Sequence, residues 1–166
     1  PVTQPVIIKV NPENVNSRLS ISNKISDLFY LYGSRLILHD DILKENQLKV
    51  QTLFTSSSHS WTRQPYGYGA VDVSPPAEKD ILKHQPLGVL LEGRFKSRFA
   101  GQKKPAWPSD MEEGAAAASS DTLSEIAGDP AENKMILFGC SNLFKTDVMQ
   151  SVTSHRALLL NSVDAL

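Results

Sequence analysis

The run Met135-Ile-Leu-Phe-Gly-Cys-Ser-Asn142 sets the first expectation for the architecture. Four apolar residues without alternation, stopped by Gly139, suit a central strand buried on both faces. A loop follows, and then Arg156-Ala-Leu-Leu-Leu-Asn-Ser-Val-Asp-Ala-Leu166 reads as a terminal helix with no glycine or basic last turn to close it. Strand, loop and helix in that order favour an α/β class, a mostly parallel sheet flanked by helices, over an all-β sandwich.

Working outward, Leu87 to Phe99 is the clearest strand. Leu87, Val89, Leu91, Gly93, Phe95 and Phe99 share one face by period-two spacing, while Glu92, Arg94, Lys96 and Arg98 occupy the other. Its first half, Leu87-Gly-Val-Leu-Leu91, is apolar on both faces and belongs deep in a sheet. Gln47 to Phe54 alternates as a half-buried strand. Val6-Ile-Ile-Lys-Val10 is a short β-branched run closed by the turn signal Asn11-Pro12. Between Ser22 and Leu38 the apolar spacing fits a helix or strands broken by Gly33, and the aromatic-rich second half favours strand. Thr55 to Pro76 reads as loop. Residues Gly101 to Lys134 change character, with Lys103-Lys-Pro-Ala-Trp-Pro108, an acidic Asp110-Met-Glu-Glu113 and a run of alanines. Such a stretch has too few apolar groups to offset its ordering entropy and reads as a flexible insertion at 101–134, with a short helix allowed at Thr122 to Ile126. The expectation is therefore one α/β domain fragment spanning 1–166.

Lys plus Arg is 17 and Asp plus Glu is 18 among 166 residues, a net charge of −1. That balance excludes a general polyanion-binding role, and no nucleic acid is expected as a partner. A single cysteine excludes an internal disulfide and any multi-cysteine metal site. No run approaches the roughly 20 apolar residues needed to span a bilayer. The opening Pro1-Val2-Thr3 and the uncapped last helix read as cut ends, so an excised piece of a longer protein is expected.

Four sets of residues invite a chemical reading. Cys140 sits where a strand hands over to a helical segment, the edge at which open α/β sheets bind ligands. A thiol there becomes a nucleophile if a His or a helix N-terminus lowers its pKa, and is otherwise a small buried residue. His39-Asp40-Asp41 offers ligand-type side chains, but neighbours on an extended chain point apart, and a surface loop is the better reading. His59, His84 and His155 lie on separate elements. Ser56-Ser-Ser-His-Ser-Trp61 reads as a polar loop anchored by Trp61, because hydrolytic dyads are assembled in space rather than by adjacency. The cations Arg94, Lys96 and Arg98 form a stripe that either meets an anionic partner or is a solvated face discouraging strand pairing. With Trp61, Tyr66 and Tyr68 they are the candidate contact residues, since aromatic and Arg side chains dominate interface energetics.

Several segments resemble one family. Pro86-Leu-Gly-Val-Leu-Leu-Glu-Gly-Arg-Phe-Lys-Ser-Arg-Phe99 is similar to the Pro-Leu-x-Val-x-Leu-x-Gly-x-Phe-x-Ser-x-Phe strand of the gliding-motility-associated ABC-type transport system auxiliary proteins. Leu53-Phe-Thr-Ser-Ser56 with Ser60-Trp61 resembles their Leu-Leu-x-Thr-Ser…Ser-Trp stretch. Met135 to Phe144 resembles their strand ending in a Gly-Asp-Ser-type turn, and Leu160-Asn-Ser-Val-Asp-Ala-Leu166 their Asn-x-x-Asp-Trp-Leu helix. Cys140 replaces an acidic residue common there, and Ala165 a tryptophan.

The resemblance implies an extracytoplasmic, periplasmic domain of a membrane-anchored auxiliary component. It implies the later part of a larger flavodoxin-like or glutamine-amidotransferase-like domain, with the permease or other subunits of the assembly as partners and no cofactor. It also implies a non-catalytic interaction role. A homo-oligomer is compatible with it. Two other classes stay open: a small-molecule-binding or hydrolytic domain centred on Cys140, and a carbohydrate-binding module that stacks sugars on Tyr66-Gly-Tyr68.

Overall fold

A computed structural model describes residues 6–63, 74–96, 99, 101–102 and 132–166. Ile7–Val10 (β1) pairs with Leu28–Leu31 (β2) in a two-stranded sheet, and Lys49–Thr55 (β3), Pro86–Arg94 (β4) and Glu132–Phe138 (β5) form a three-stranded sheet in that order. Short helices are Asp40–Glu45 (α1) and Thr146–Ser151 (α2), and Thr153–Ala165 (α3) closes the chain.

All three strand pairings among the described residues are antiparallel, so the mostly parallel α/β sheet expected from sequence is wrong. The flavodoxin-like and glutamine-amidotransferase-like expectations fall with it. The physical reason lies in β4. Its apolar run does report burial on both faces, for Leu87 to Leu91 are all buried and β4 is the central strand. Burial on both faces says nothing about strand direction, however, and neither helix of the C-terminal segment leads into a parallel strand among the described residues. The second correction concerns Met135 to Phe138. This run is the edge strand β5, with Met135 41% and Leu137 40% exposed, rather than a central buried one.

One core joins the two sheets. Val10, Leu28 and Tyr30 from the first pack with Leu53, Phe54, Leu87 and Leu90 from the second, and Leu143 and Leu158 from the C-terminal segment close the cluster. Val89 and Leu91 are also buried but lie outside that cluster. Gly88 explains how the core face closes. Phe54 and Phe138, its neighbours on the flanking strands, stack across it with ring centroids 5.9 Å apart and 15° between planes. A Cβ on Gly88 would lie 2.7 Å from Phe54 and 3.0 Å from Phe138, so the absent side chain makes room for the rings. Tyr30 then ties the sheets together. Its hydroxyl donates to the Ser34 carbonyl at 2.7 Å and lies 3.3 Å from that of Leu87, and burial pushes the phenol far above its ordinary pKa.

Local sequence accounts for most boundaries. The strand expected at Val6–Val10 is β1, the aromatic half of Ser22–Leu38 supplies β2, and the terminal helix begins three residues earlier than its apolar pattern. Pro12 opens a single 3₁₀ turn, as Asn11-Pro12 foretold. The residues His39-Asp40-Asp41 prove to be the start of α1, with both carboxylates in the first turn where the helix dipole favours them. A short helix at Thr122 to Ile126 and most of the 101–134 insertion lie outside the described residues.

Candidate functional site

The candidate contact residues among the described residues do not converge. Trp61 is half-buried in the loop after β3, where Ser60 bridges Leu82 just ahead of β4. Arg94 ends β4, and Lys96 follows it, both exposed. With nine residues in β4, the two ends stand about 25 Å apart at ~3.3 Å per residue. Tyr66, Tyr68 and Arg98 lie outside the described residues.

The cationic stripe is interleaved with acids by strand register. Glu92 sits between Lys49 on β3 and Lys134 on β5, and Arg94 faces Glu132. Opposite charges directly across neighbouring strands attract, so this end of the sheet is a mixed ladder rather than a basic strip. Gln51 Nε2 donates to Glu92 at 2.9 Å, and Lys134 Nζ donates to the Ala165 carbonyl at 2.8 Å, docking the end of α3. An open concavity of about 550 Å³ is lined here by Gln47, Lys49, Glu92, Glu132, Asn133 and Lys134. Its chemistry suits polar contact with a protein surface of alternating charge.

Cys140 belongs to a different arrangement, the closing of β2. The Tyr32 N–H donates to Val6 at 2.8 Å, and ladder alternation then turns the Phe29 N–H and the Leu31 carbonyl away from β1. Side chains from the C-terminal segment take both groups. His155 Nε2 accepts the Phe29 N–H at 2.9 Å, while Cys140 Sγ at 3.2 Å and Asn142 Nδ2 at 3.0 Å donate to Leu31. An accepting Nε2 puts the imidazole proton on Nδ1, which donates to the Leu143 carbonyl at 2.8 Å. His155 is fully buried, and that burial holds its pKa below the ordinary histidine range, opposed in part by the Leu143 carbonyl.

Two further bonds extend this seam along α3. Ser26 and Ser154 hydroxyls lie 3.0 Å apart, and Asn161 Nδ2 donates to Ile21 at 3.1 Å. Beside the seam a groove of about 210 Å³ runs between Phe29 and Leu31 on one side and α2 on the other, with Asp147 the one charged residue lining it among the described residues. In this setting the buried thiol is a donor to backbone, and Gly139 before it lies against the Ser34 carbonyl and the Tyr30 hydroxyl. The roles of His155 and Asn142 were missed in the sequence. Their signal is faint: a histidine on the buried face of the terminal helix, and an amide four residues past a strand end.

Other groups singled out by sequence stay apart. His39, His59 and His84 are exposed, and no cluster of three metal-type ligands occurs among the described residues. Ser58 Oγ lies 2.9 Å from His59 Nδ1 on an exposed turn. Ser56 is buried and spends its hydroxyl on Ser60 and on the Gln85 N–H, which fixes the loop that carries Trp61.

Residues 2–162 match the family described as an ABC-type uncharacterized transport system, its auxiliary component. The chain belongs to that family. Neither a curated protein nor a solved structure matches it. An auxiliary transport chain works alongside a membrane transporter, yet no helix among the described residues is long and apolar enough to cross a membrane.

Proposed function

We propose that this chain is a non-catalytic interaction domain on the extracytoplasmic, periplasmic face of the bacterial inner membrane. It forms part of a membrane-anchored auxiliary component, of the gliding-motility-associated kind, and its partners are the permease or other subunits of the same assembly. Residues 1–166 act as one unit, with 101–134 as a variable insertion. The family match over residues 2–162 carries this reading. The use of His155, Cys140 and Asn142 to close a strand edge supports it, because their polar atoms are already committed to backbone.

The contacts divide between the two ends of the three-stranded sheet. Trp61, with Tyr66 and Tyr68 beyond it in sequence, serves one end. Arg94 and Lys96, with Arg98, serve the other, inside the mixed-charge ladder. Two separate contact points have a measurable consequence. In co-purification with the cognate permease, Trp61→Ala and Arg94→Glu each reduce recovery, and the double variant loses the product of the two single effects, as independent sites should. Unchanged recovery in both single variants would remove these positions from the interface.

A further inference from the structure

The seam between β2 and the C-terminal segment contains a contact that only one protonation state can make. Nε2 of His155 accepts the Phe29 N–H at 2.9 Å, and Nδ1 donates to the Leu143 carbonyl at 2.8 Å. The neutral ring protonated at Nδ1 satisfies both groups. A proton on Nε2 would set two donors against each other at a residue that is 0% exposed, where water cannot relieve the conflict. The other seam bonds, from Cys140 and Asn142 to Leu31, between Ser154 and Ser26, and from Asn161 to Ile21, do not involve the ring. Position adds to the conflict, because His155 lies in the first turn of α3, where the helix dipole disfavours positive charge. Val152, just ahead of it, is extended and joins α2 to α3 without a side-chain cap. The groove of about 210 Å³ lies at the same place, with Phe29 and Leu31 on one wall and Asp147, Val148, Ser151 and Val152 on the other.

We propose that His155 is an acid-released latch: on protonation the first turn of α3, together with α2, parts from Phe29 about Val152 and widens the groove, while the three-stranded sheet stays folded. Around the ring, β2 carries Tyr30, whose phenol burial pushes far above its ordinary pKa. Just before β2, Asp27 is held below the ordinary carboxylate range by the Ser26 hydroxyl and then by Lys9 of β1. The turn after β5 carries Cys140, which donates to Leu31, and Lys145; α2 carries Asp147, and α3 carries Arg156 and Asp164. Burial, opposed by the Leu143 carbonyl, holds the imidazole below its ordinary value, and no charged neighbour contributes. In the parted state the ring is solvated and titrates near its ordinary value. The parted population therefore rises by up to about tenfold per pH unit below about 6.5, and levels off at the lowered value of the closed state. The latch is a motion within the folded chain and does not rest on the transport role.

Native-state hydrogen exchange on the purified chain, followed by NMR at a series of pH values and corrected for intrinsic rates, tests it. The Phe29 amide exchanges through an opening that low urea leaves unchanged and that grows by up to about tenfold per pH unit below about 6.5. The Leu91 amide in β4 exchanges through a rarer opening that urea promotes, as global unfolding does. Equal opening free energies for Phe29 and Leu91 at every pH, or a Phe29 opening that does not respond to pH, overturns the proposal. His155→Gln keeps an acceptor toward Phe29 and takes up no proton, so its Phe29 opening stays flat across this range. A slope equal to that of the wild type overturns the proposal. Imidazole carbon shifts give a reading that needs no variant: the Phe29 and Val152 amide signals move together with the His155 titration. A ring that titrates with both amides unmoved, or that takes its proton only as the whole chain unfolds, overturns it.

Discussion

Replacing His155 by Phe keeps a buried ring of similar size and removes both hydrogen bonds of the imidazole. The Phe29 N–H and the Leu143 carbonyl, now 2.9 and 2.8 Å from ring nitrogens, are left facing carbon. Each buried backbone group without a partner costs about 1–3 kcal/mol, so the pair predicts a loss of roughly 2–5 kcal/mol. For a chain of this size that lowers Tm by about 5–15 °C. Acidification adds a second signature. The folded protein holds His155 neutral, with its pKa below the unfolded value, so below about pH 6.5 the unfolded chain binds a proton that the folded chain refuses. Wild-type stability therefore falls as pH drops from about 6.5 toward the lowered folded value. The Phe variant lacks that contribution. Urea unfolding followed by circular dichroism, from neutral to mildly acidic pH, should show a gap between the two proteins that is widest near neutrality and narrows toward acid. A variant within about 0.5 kcal/mol of wild type at neutral pH would refute the reasoning, since ordinary surface changes fall in that range. So would a gap that widens as pH falls.

Other outcomes follow from the same geometry. Gly88→Val should destabilise by about 1–3 kcal/mol in denaturant melts, because the new side chain must part the stacked Phe54 and Phe138 rings; a neutral result would mean the strand shifts freely there. Asn142→Ala should cost about 1 kcal/mol, and Cys140→Ala about as much, with Cys140→Ser milder because a hydroxyl still donates to Leu31. In the native chain Cys140 should react with iodoacetamide much more slowly than in urea, since the sulfur is buried; equal rates would place the thiol at the surface.

Much of the local structure was legible in the residues. Alternation marked β3, the doubly apolar run marked β4 as central, and the β-branched and aromatic stretches marked β1 and β2, because each of those signals reports burial. Strand direction was not legible. A parallel and an antiparallel strand buried on both faces ask for the same side chains, and the partner of β4 is reached only through long connections. Met135 to Phe138 misled for a related reason. An apolar run ordinarily means cover on both sides, and here Met135 and Leu137 are left 41% and 40% exposed. At the β2 seam, His155, Cys140 and Asn142 act on Phe29 and Leu31, more than a hundred residues away in sequence. Local pattern cannot signal bonds of that span. The cations of β4 looked like a stripe because a single strand shows only its own charges, whereas register places Glu132 beside Arg94.

Binding of the purified chain to its cognate permease and ATPase reconstituted in nanodiscs tests the central claim most directly. Saturable binding at the permease, weakened by Arg94→Glu and by Trp61→Ala, is the predicted result. A chain that shows no binding to the reconstituted transporter at any concentration where it remains folded would contradict the account.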